Sequence, residues 1–379
     1  MNWTLPLFEC DFGEAEVKAV EQVIRSGWLT MGTLVRKFEE AFAARVGCRH
    51  AIAVSSCTAA LHLAQLALEM GPEDEVICPA LTFVATANAI RYVGARPVFA
   101  DVKSRDEWVI GVEQIQTVES PRTKGVCAVH YAGYPCAMDE ISAYARARGL
   151  KVIEDCAHAP LTLYKGKALG TWGDIGCFSF FSNKNLSTGE GGMLVTDDDE
   201  IASRLRLLRS HGMTTLTLDR HQGHAFSYDV VAVGFNYRPT EITAALGLVQ
   251  LEKLEGKNEQ RRTLVTAYRN QLAKETPALS VPFGSYPLEF SACHIMPVLL
   301  PPQSERRHVM EGLRQEGIQS SIHYPPIHTF QAYAGLCPSR SLPHTELIGA
   351  HCLTLPLYPQ MIIEDVDRCV KTLAQLIEA

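Results

Sequence analysis

From Ala51 onward, short apolar runs alternate with stretches of helical periodicity. HAIAVSS (50–56) precedes TAALHLAQLALEM (58–70), EVICPA (75–80) precedes TFVATANAIRYVG (82–94), and RPVFADV (96–102) follows. GVCAVHYAG (125–133) then leads into AMDEISAYARARG (137–149), and KVIEDCAH (151–158) closes the series. Within 58–70, Leu61, Leu66 and Leu68 join the alanines on a broad apolar face suited to packing on a sheet. Strands alternating with helices predict an α/β fold with a mostly parallel central sheet covered on both faces. In such folds ligands gather at the carboxyl ends of the strands, where loops leave the sheet.

Further along, the pattern predicts a helix over 200–209, an irregular polar stretch over 210–229 and a long connecting helix over 240–254. The more proline-rich remainder reads as a second, smaller unit. The expected division is therefore a large domain over 1–255 and a small C-terminal α/β domain over 256–379.

A chain of 379 residues, 47% hydrophobic and 20% charged, has an ordinary globular balance. The net charge of −7 makes nucleic acid or an anionic membrane a poor partner. No apolar run approaches the roughly 20 residues needed to span a bilayer. The acidic start, MNWTLPLFECDFGEAEV, lacks a basic segment followed by an apolar core, so a cytoplasmic location is expected. Twelve cysteines are scattered singly, without CxxC or zinc-finger spacing, so no metal site is expected. In VIC, GVC and IGC they read as small buried hydrophobes.

The most informative segment is GCFSFFSNKNLSTGEGG (176–192). A strand-like run delivers Lys184 to a turn of small residues, which would set one amine at the floor of a pocket. A desolvated lysine has a lowered pKa and a nucleophilic amine, as Schiff-base chemistry with an aldehyde cofactor requires. SSCTAALHL places Ser56, Cys57 and Thr58 where a strand hands over to a helix. That start suits a phosphate, and equally plain N-capping by Ser56 or Thr58. KVIEDCAH ends a strand in Glu154 and Asp155, with His158 beyond; a carboxylate there could hold a cofactor ring nitrogen or a structural ion pair.

Phe83 could stack on a flat ring or join the core. GFNYRP (234–239) carries Asn236 before a helix, able to bind an anion or to cap. IHYPPIH (322–328) reads as a polar pocket wall. Neither GxGxxG after a strand nor GxxxxGK[ST] occurs, which removes the basic part of a nicotinamide or P-loop nucleotide site.

In order along the chain, SGWLTMG, SSCTAALHLA, PALTFVATANAI, VHYAGYPCAMDEI, VIEDCAHA, GDIGCFSFFSNKNLSTGEGGM, GFNYRPTEITAALGL, IHYPPIH and LPLYPQM resemble the DegT–StrS sugar aminotransferases, fold-type I pyridoxal phosphate enzymes. The resemblance implies that Lys184 forms the internal aldimine with pyridoxal 5'-phosphate and shuttles the proton, that Asp155 holds the pyridine nitrogen, and that Phe83 stacks on the ring. It places His158 near the other face of the ring or its hydroxyl, and Ser179 with Ser56, Cys57 and Thr58 around the phosphate. Asn236 would reach the phosphate of the other subunit in a homodimer with shared sites. His323, Tyr324 and His328 would shape a sugar pocket.

The implied reaction moves an amino group from an amino acid, expected to be L-glutamate, to a keto group of a nucleotide-linked deoxysugar, with pyridoxamine phosphate as the alternate cofactor form. Cys57 stands where the family commonly has glycine, and Leu186, Ser187 and Thr188 vary from commoner forms. His158, where many relatives carry glutamine, inclines the expectation towards a 4-keto sugar. Alternatives are a pyridoxamine-dependent sugar dehydratase, whose members carry histidine in place of Lys184, an aminotransferase for a cyclitol ketone, and a regulator retaining the fold.

Overall fold

The structure, a computed structural model, describes residues 3–215, 227–336 and 341–378. Cys337 and residues 216–226 of the polar stretch lie outside the described residues. Strands β1 (His50–Val54), β2 (Glu75–Pro79), β3 (Arg96–Ala100), β4 (Thr123–Val129) and β5 (Lys151–Asp155) are followed by a small hairpin, β6 (Leu163–Tyr164) and β7 (Lys167–Ala168). With β8 (Ile175–Ser179) and β9 (Gly192–Thr196), the first five make a seven-stranded sheet of order β1-β9-β8-β5-β4-β2-β3. β9 alone runs against its neighbours, β1 and β8; the others are parallel.

Period-two alternation in the strands divides the core. Ile52, Val54, Cys78, Cys127, Ile153, Cys177 and Leu194 face one layer, while Ala53, Ile77, Ala128, Val152, Phe178 and Met193 face the other. Both faces are buried, as a sheet covered by crossover helices requires. Cys78, Cys127 and Cys177 are wholly buried and free, the small hydrophobes expected.

The chain also forms helices α1 (Glu14–Ser26), α2 (Thr33–Val46), α3 (Cys57–Ala67), α4 (Ala85–Tyr92), α5 (Val112–Val118), α6 (Met138–Arg148) and α7 (Asp199–Arg209), of which α2 to α7 are distributed over the two faces of the sheet. α3 and α4 pack on the side of Ile52 and Cys177, whereas α2 presses Phe38 and Phe42 on Phe178 and Phe180. α3 ends at Ala67, three residues short of the predicted end, with Leu68 as its C-cap.

Helix α8 (Glu241–Glu275) is 35 residues long. The division expected at 255/256 falls inside this unbroken helix, because its apolar face passes from one core to another. Up to Leu254 it contributes to the main core; from Leu264 to Leu272 it packs with β10 (Met296–Leu299), α9 (Arg306–Gln315), β11 (Cys352–Leu355) and α11 (Ile363–Glu378) in the C-terminal region, whereas α10 (Pro343–His351) adds Ile348 to the main core. Leu5 joins that last cluster and pairs with Ile318, tying the chain's start to its C-terminal part.

Gly32 precedes α2 and has no side chain with which to cap it. Glu241, the first residue of α8, does so instead, accepting from the amides of Gly32, Leu34 and Val35 at 2.9 Å each. Among the described residues, no helix is long and apolar enough to cross a membrane.

Candidate active site

The carboxyl ends of β1, β2, β4, β5 and β8 and the start of β9 share one edge, and a cavity of about 370 Å³ opens there. Gly192 pairs with Val54 on one side and Ser179 on the other. A Cβ at Gly192 would lie 2.6 Å from the carbonyl carbon and oxygen of Ser56 and 2.7 Å from the Cys57 nitrogen. This close approach sets the start of α3 beside Ser179. Ser56 is the N-cap, its Oγ accepting from the Ala59 amide at 3.1 Å. The capping reading of this segment is therefore realised, and Cys57 and Thr58, which open the first turn, stand at the cavity. Ser56, Cys57, Thr58 and Ser179 all line the cavity.

Glu154 and Asp155 are adjacent in β5, so their side chains leave on opposite sides. Glu154 is fully buried and accepts from the amides of Gly170, Trp172 and Gly173 at 2.7–2.9 Å. His130 Nδ1 accepts from Cys136 N–H, so Nε2 carries the proton and donates to Glu154 at 3.0 Å. His130, Glu154 and Cys156 form the one cluster of metal-ligand types among the described residues, and its carboxylate is already occupied by these four donors.

Asp155 instead faces the cavity, accepting from Thr86 Oγ1 at 2.7 Å and from the Ala157 amide at 3.1 Å. Burial pushes its carboxyl up, against the opposing pull of those two donors and of Lys184.

Lys184 stands beyond β8 in a turn closed by its own amide donating to the Phe181 carbonyl at 2.9 Å. Its accessible surface faces the cavity, and burial brings the amine down from 10.5 to about 8 despite the nearby Cys57 and Asp155. Phe83, at the start of the segment leading into α4, lines the cavity yet is 56% exposed, leaving a ring face available.

His158 Nδ1 accepts from the Ala132 amide at 3.1 Å, so the neutral ring donates from Nε2 to Tyr324 Oη at 2.9 Å. Burial, reinforced by the Lys184 charge, holds His158 far below the usual imidazole range and takes His323 down to about 4. Tyr324 and His323 reach the cavity from the C-terminal region, whose Ile327 amide binds the Ala80 carbonyl beyond β2.

Asn236 and His328 do not line the cavity. Asn236 bridges to Ser210, and His328 turns away on a 3-10 turn, with Nε2 3.6 Å from Glu346. Sequence reasoning missed Thr86, Asn183, Glu190 and His294. The spacing of Thr82 and Thr86, one helical turn apart, was a usable signal, since their hydroxyls meet at 3.1 Å. His294 lies in SACHIMP, where no pattern marked it.

The arrangement fits a flat, phosphorylated aldehyde: one amine, one ring-nitrogen partner, an open aromatic face and a helix start with hydroxyls. Asn183 Oδ1 is buried in the cavity wall without a hydrogen-bond partner among the described residues, a polar atom left for a bound molecule.

A family model described as the DegT/DnrJ/EryC1/StrS aminotransferase family matches residues 11–374. Among solved structures, the aminotransferase TlmJ from Streptoalloteichus hindustanus is similar at 33% identity, with a TM-score of 0.91 and 99% of each chain covered. Helicobacter pylori PseC, an aminotransferase involved in pseudoaminic acid biosynthesis, is 28% identical, with a TM-score of 0.91 over 100% of both chains. DesI, determined in the presence of its TDP-sugar product, is 32% identical, with a TM-score of 0.87, covering 99% of this chain and 92% of its own.

Proposed function

Because the chain belongs to the DegT/DnrJ/EryC1/StrS aminotransferase family, we propose that it moves an amino group from L-glutamate to a keto group of a nucleotide-linked deoxysugar. The observation that carries this reading is Lys184 and Asp155 lining one cavity, with the N-terminus of α3 at its rim. The association of relatives with pseudoaminic acid and with a TDP-sugar product supports the substrate class.

Pyridoxal phosphate bound here would supply the aldehyde carbon that exchanges nitrogen for oxygen and an electron-accepting ring. Lys184 Nζ would hold it covalently and, once freed, take up and return the proton moved during transfer. Asp155, its negative charge supported by Thr86 and the Ala157 amide against the effect of burial, would hold the ring-nitrogen proton. Ser56, Cys57, Thr58 and Ser179 would take the phosphate, and Phe83 would cover the ring. His158, with its proton on Nε2, fixes Tyr324 at the sugar side, next to His323.

Asn236 sits outside its own cavity, beside the exposed apolar Val230, Val231 and Val233. These support a homodimer in which Asn236 serves the other subunit's phosphate site. His328, expected at the sugar pocket, has Nε2 3.6 Å from Glu346 and does not line the cavity.

The test is to load the purified protein with pyridoxal phosphate, supply glutamate and a panel of nucleotide-linked 3-keto and 4-keto sugars, and weigh the products. The expected product carries an amine in place of the keto oxygen, and Lys184→Ala abolishes it. Loss of a hydroxyl would mark a dehydratase, amination of a cyclitol ketone alone would move the substrate class, and inertness towards every donor would overturn the reading.

A further inference from the structure

Lys184 Nζ lies 3.3 Å from His294 Nε2. The role of that ring nitrogen is decided by a chain of hydrogen bonds running away from the cavity. The Pro160 carbonyl can only accept, so the group it meets at 3.1 Å is the amide nitrogen of Asn258, and Asn258 Oδ1 must point the other way. Asn185 donates to Asn258 Oδ1 at 2.8 Å and to the Ala292 carbonyl at 2.7 Å. Both of its donors are thereby spent on acceptors, and Asn185 Oδ1 faces His294 Nδ1 at 2.9 Å.

His294 Nδ1 must therefore carry a proton. In the neutral ring the other nitrogen, Nε2, is then a bare acceptor aimed at the lysine. Burial and the adjacent Lys184 charge keep the ring neutral, holding His294 far below its ordinary range.

The ring is fixed as firmly as its tautomer. The His294 amide donates to the Ala132 carbonyl at 3.0 Å, and its own carbonyl accepts from the buried Arg261 Nη1 at 3.1 Å. Arg261 spans to the Leu357 carbonyl at 2.9 Å. The His158 ring covers one side, its centroid 4.4 Å away. Apart from His158, which lines the cavity, the groups that set the acceptor's direction lie outside it, and Asn185, Asn258 and Arg261 each end on a backbone carbonyl.

We propose that His294 is a positioning residue whose unprotonated Nε2, fixed by Asn185, receives the free amine of Lys184 whenever that amine is not bonded to cofactor. This rests on the aminotransferase reading, in which Lys184 is released and must be recaptured in each cycle. A lysine side chain has several rotatable bonds, and one well-placed acceptor keeps its amine from wandering. The charged and titratable groups facing the pair are Asp155 and Cys57 towards Lys184, and His158, His323 and Arg261 towards His294. None is a better-placed acceptor, since no other hydrogen-bond contact to Lys184 Nζ is found among the described residues.

The test compares wild type, His294→Phe, which keeps a ring without the acceptor, and His294→Gln, whose carbonyl oxygen can replace Nε2. In cofactor-free protein, the pH dependence of Lys184 modification by an amine-directed reagent is followed by peptide mass spectrometry. A neutral acceptor favours the ammonium, so His294→Phe is expected to shift the midpoint down by about one pH unit, and His294→Gln to restore it. An unchanged midpoint in His294→Phe, or equal shifts in both variants, would overturn the proposal.

Should His294→Phe fail to fold, the nitrogen-15 spectrum of the wild-type imidazoles decides. A neutral His294 protonated on Nδ1 supports the proposal, and a proton on Nε2 overturns it. None of these measurements needs the cofactor. Failure of wild-type protein to bond pyridoxal phosphate at Lys184 would sink the aminotransferase reading instead, and leave these results readable.

Discussion

Thr86 Oγ1 donates to Asp155 Oδ2 at 2.7 Å, joining α4 to the end of β5 across the cavity floor. Thr82 lies 3.1 Å from the same hydroxyl, and because that hydroxyl's proton is committed to the carboxylate, Thr82 is the donor to it. The pair stabilises negative charge where burial works against it.

Thr86→Val should therefore push the Asp155 carboxyl further up. Loss of activity on acidification is expected to begin at a higher pH, with a roughly ten-fold lower rate on the acid side, consistent with one hydrogen bond to a charged group. Thr86→Ser should stay near wild type. A pH profile of amino transfer with each variant checks this.

Glu154→Gln should act on stability rather than chemistry. The substitution turns an amide N–H towards backbone donors that now find a carboxylate, leaving at least one buried donor unmet. A loss of about 3 kcal/mol is expected in urea unfolding. Asp155→Asn should do the opposite, sparing most of the stability while removing most of the activity.

The Lys184 amine falls from 10.5 in its ordinary state to about 8 in the fold. A base depressed on folding gives its full contribution above its unfolded value and loses it as pH falls through its folded one. Cofactor-free Lys184→Met should accordingly be more stable than wild type below about pH 8, by at most ~3 kcal/mol, with the gap closing towards pH 10. Thermal unfolding at pH 7 and pH 10 measures it.

Gly192→Ala places a Cβ 2.6 Å from the Ser56 backbone, where no flexible side-chain end can yield. The start of α3 must move off β9, at a cost of about 1–3 kcal/mol. Weaker binding of inorganic phosphate, read by calorimetry on cofactor-free protein, is expected beside a lowered Tm.

The alternation of apolar runs with helical stretches was sufficient to predict the parallel sheet, because a strand buried on both faces and an amphipathic helix leave distinct periods in sequence. Ser56, Asp155, Ser179 and Lys184 were legible for a related reason: each sits where a strand ends, and in this topology those ends meet at one edge. The boundary expected at 255/256 lies within α8, and a helix passing from one core to another carries no break in its pattern.

Local sequence also could not say that Glu154 and Asp155 serve different masters, one holding a loop and one facing the cavity. It could not bring His294 to Lys184 across 110 positions, nor turn His328 away. Period and composition are properties of neighbours along the chain, so the amino-acid order determined the layers and the residues at their edge. Which nitrogen carries a proton, and which carboxylate is satisfied, depends on donors and acceptors that only folding makes adjacent, and the tertiary structure decided those.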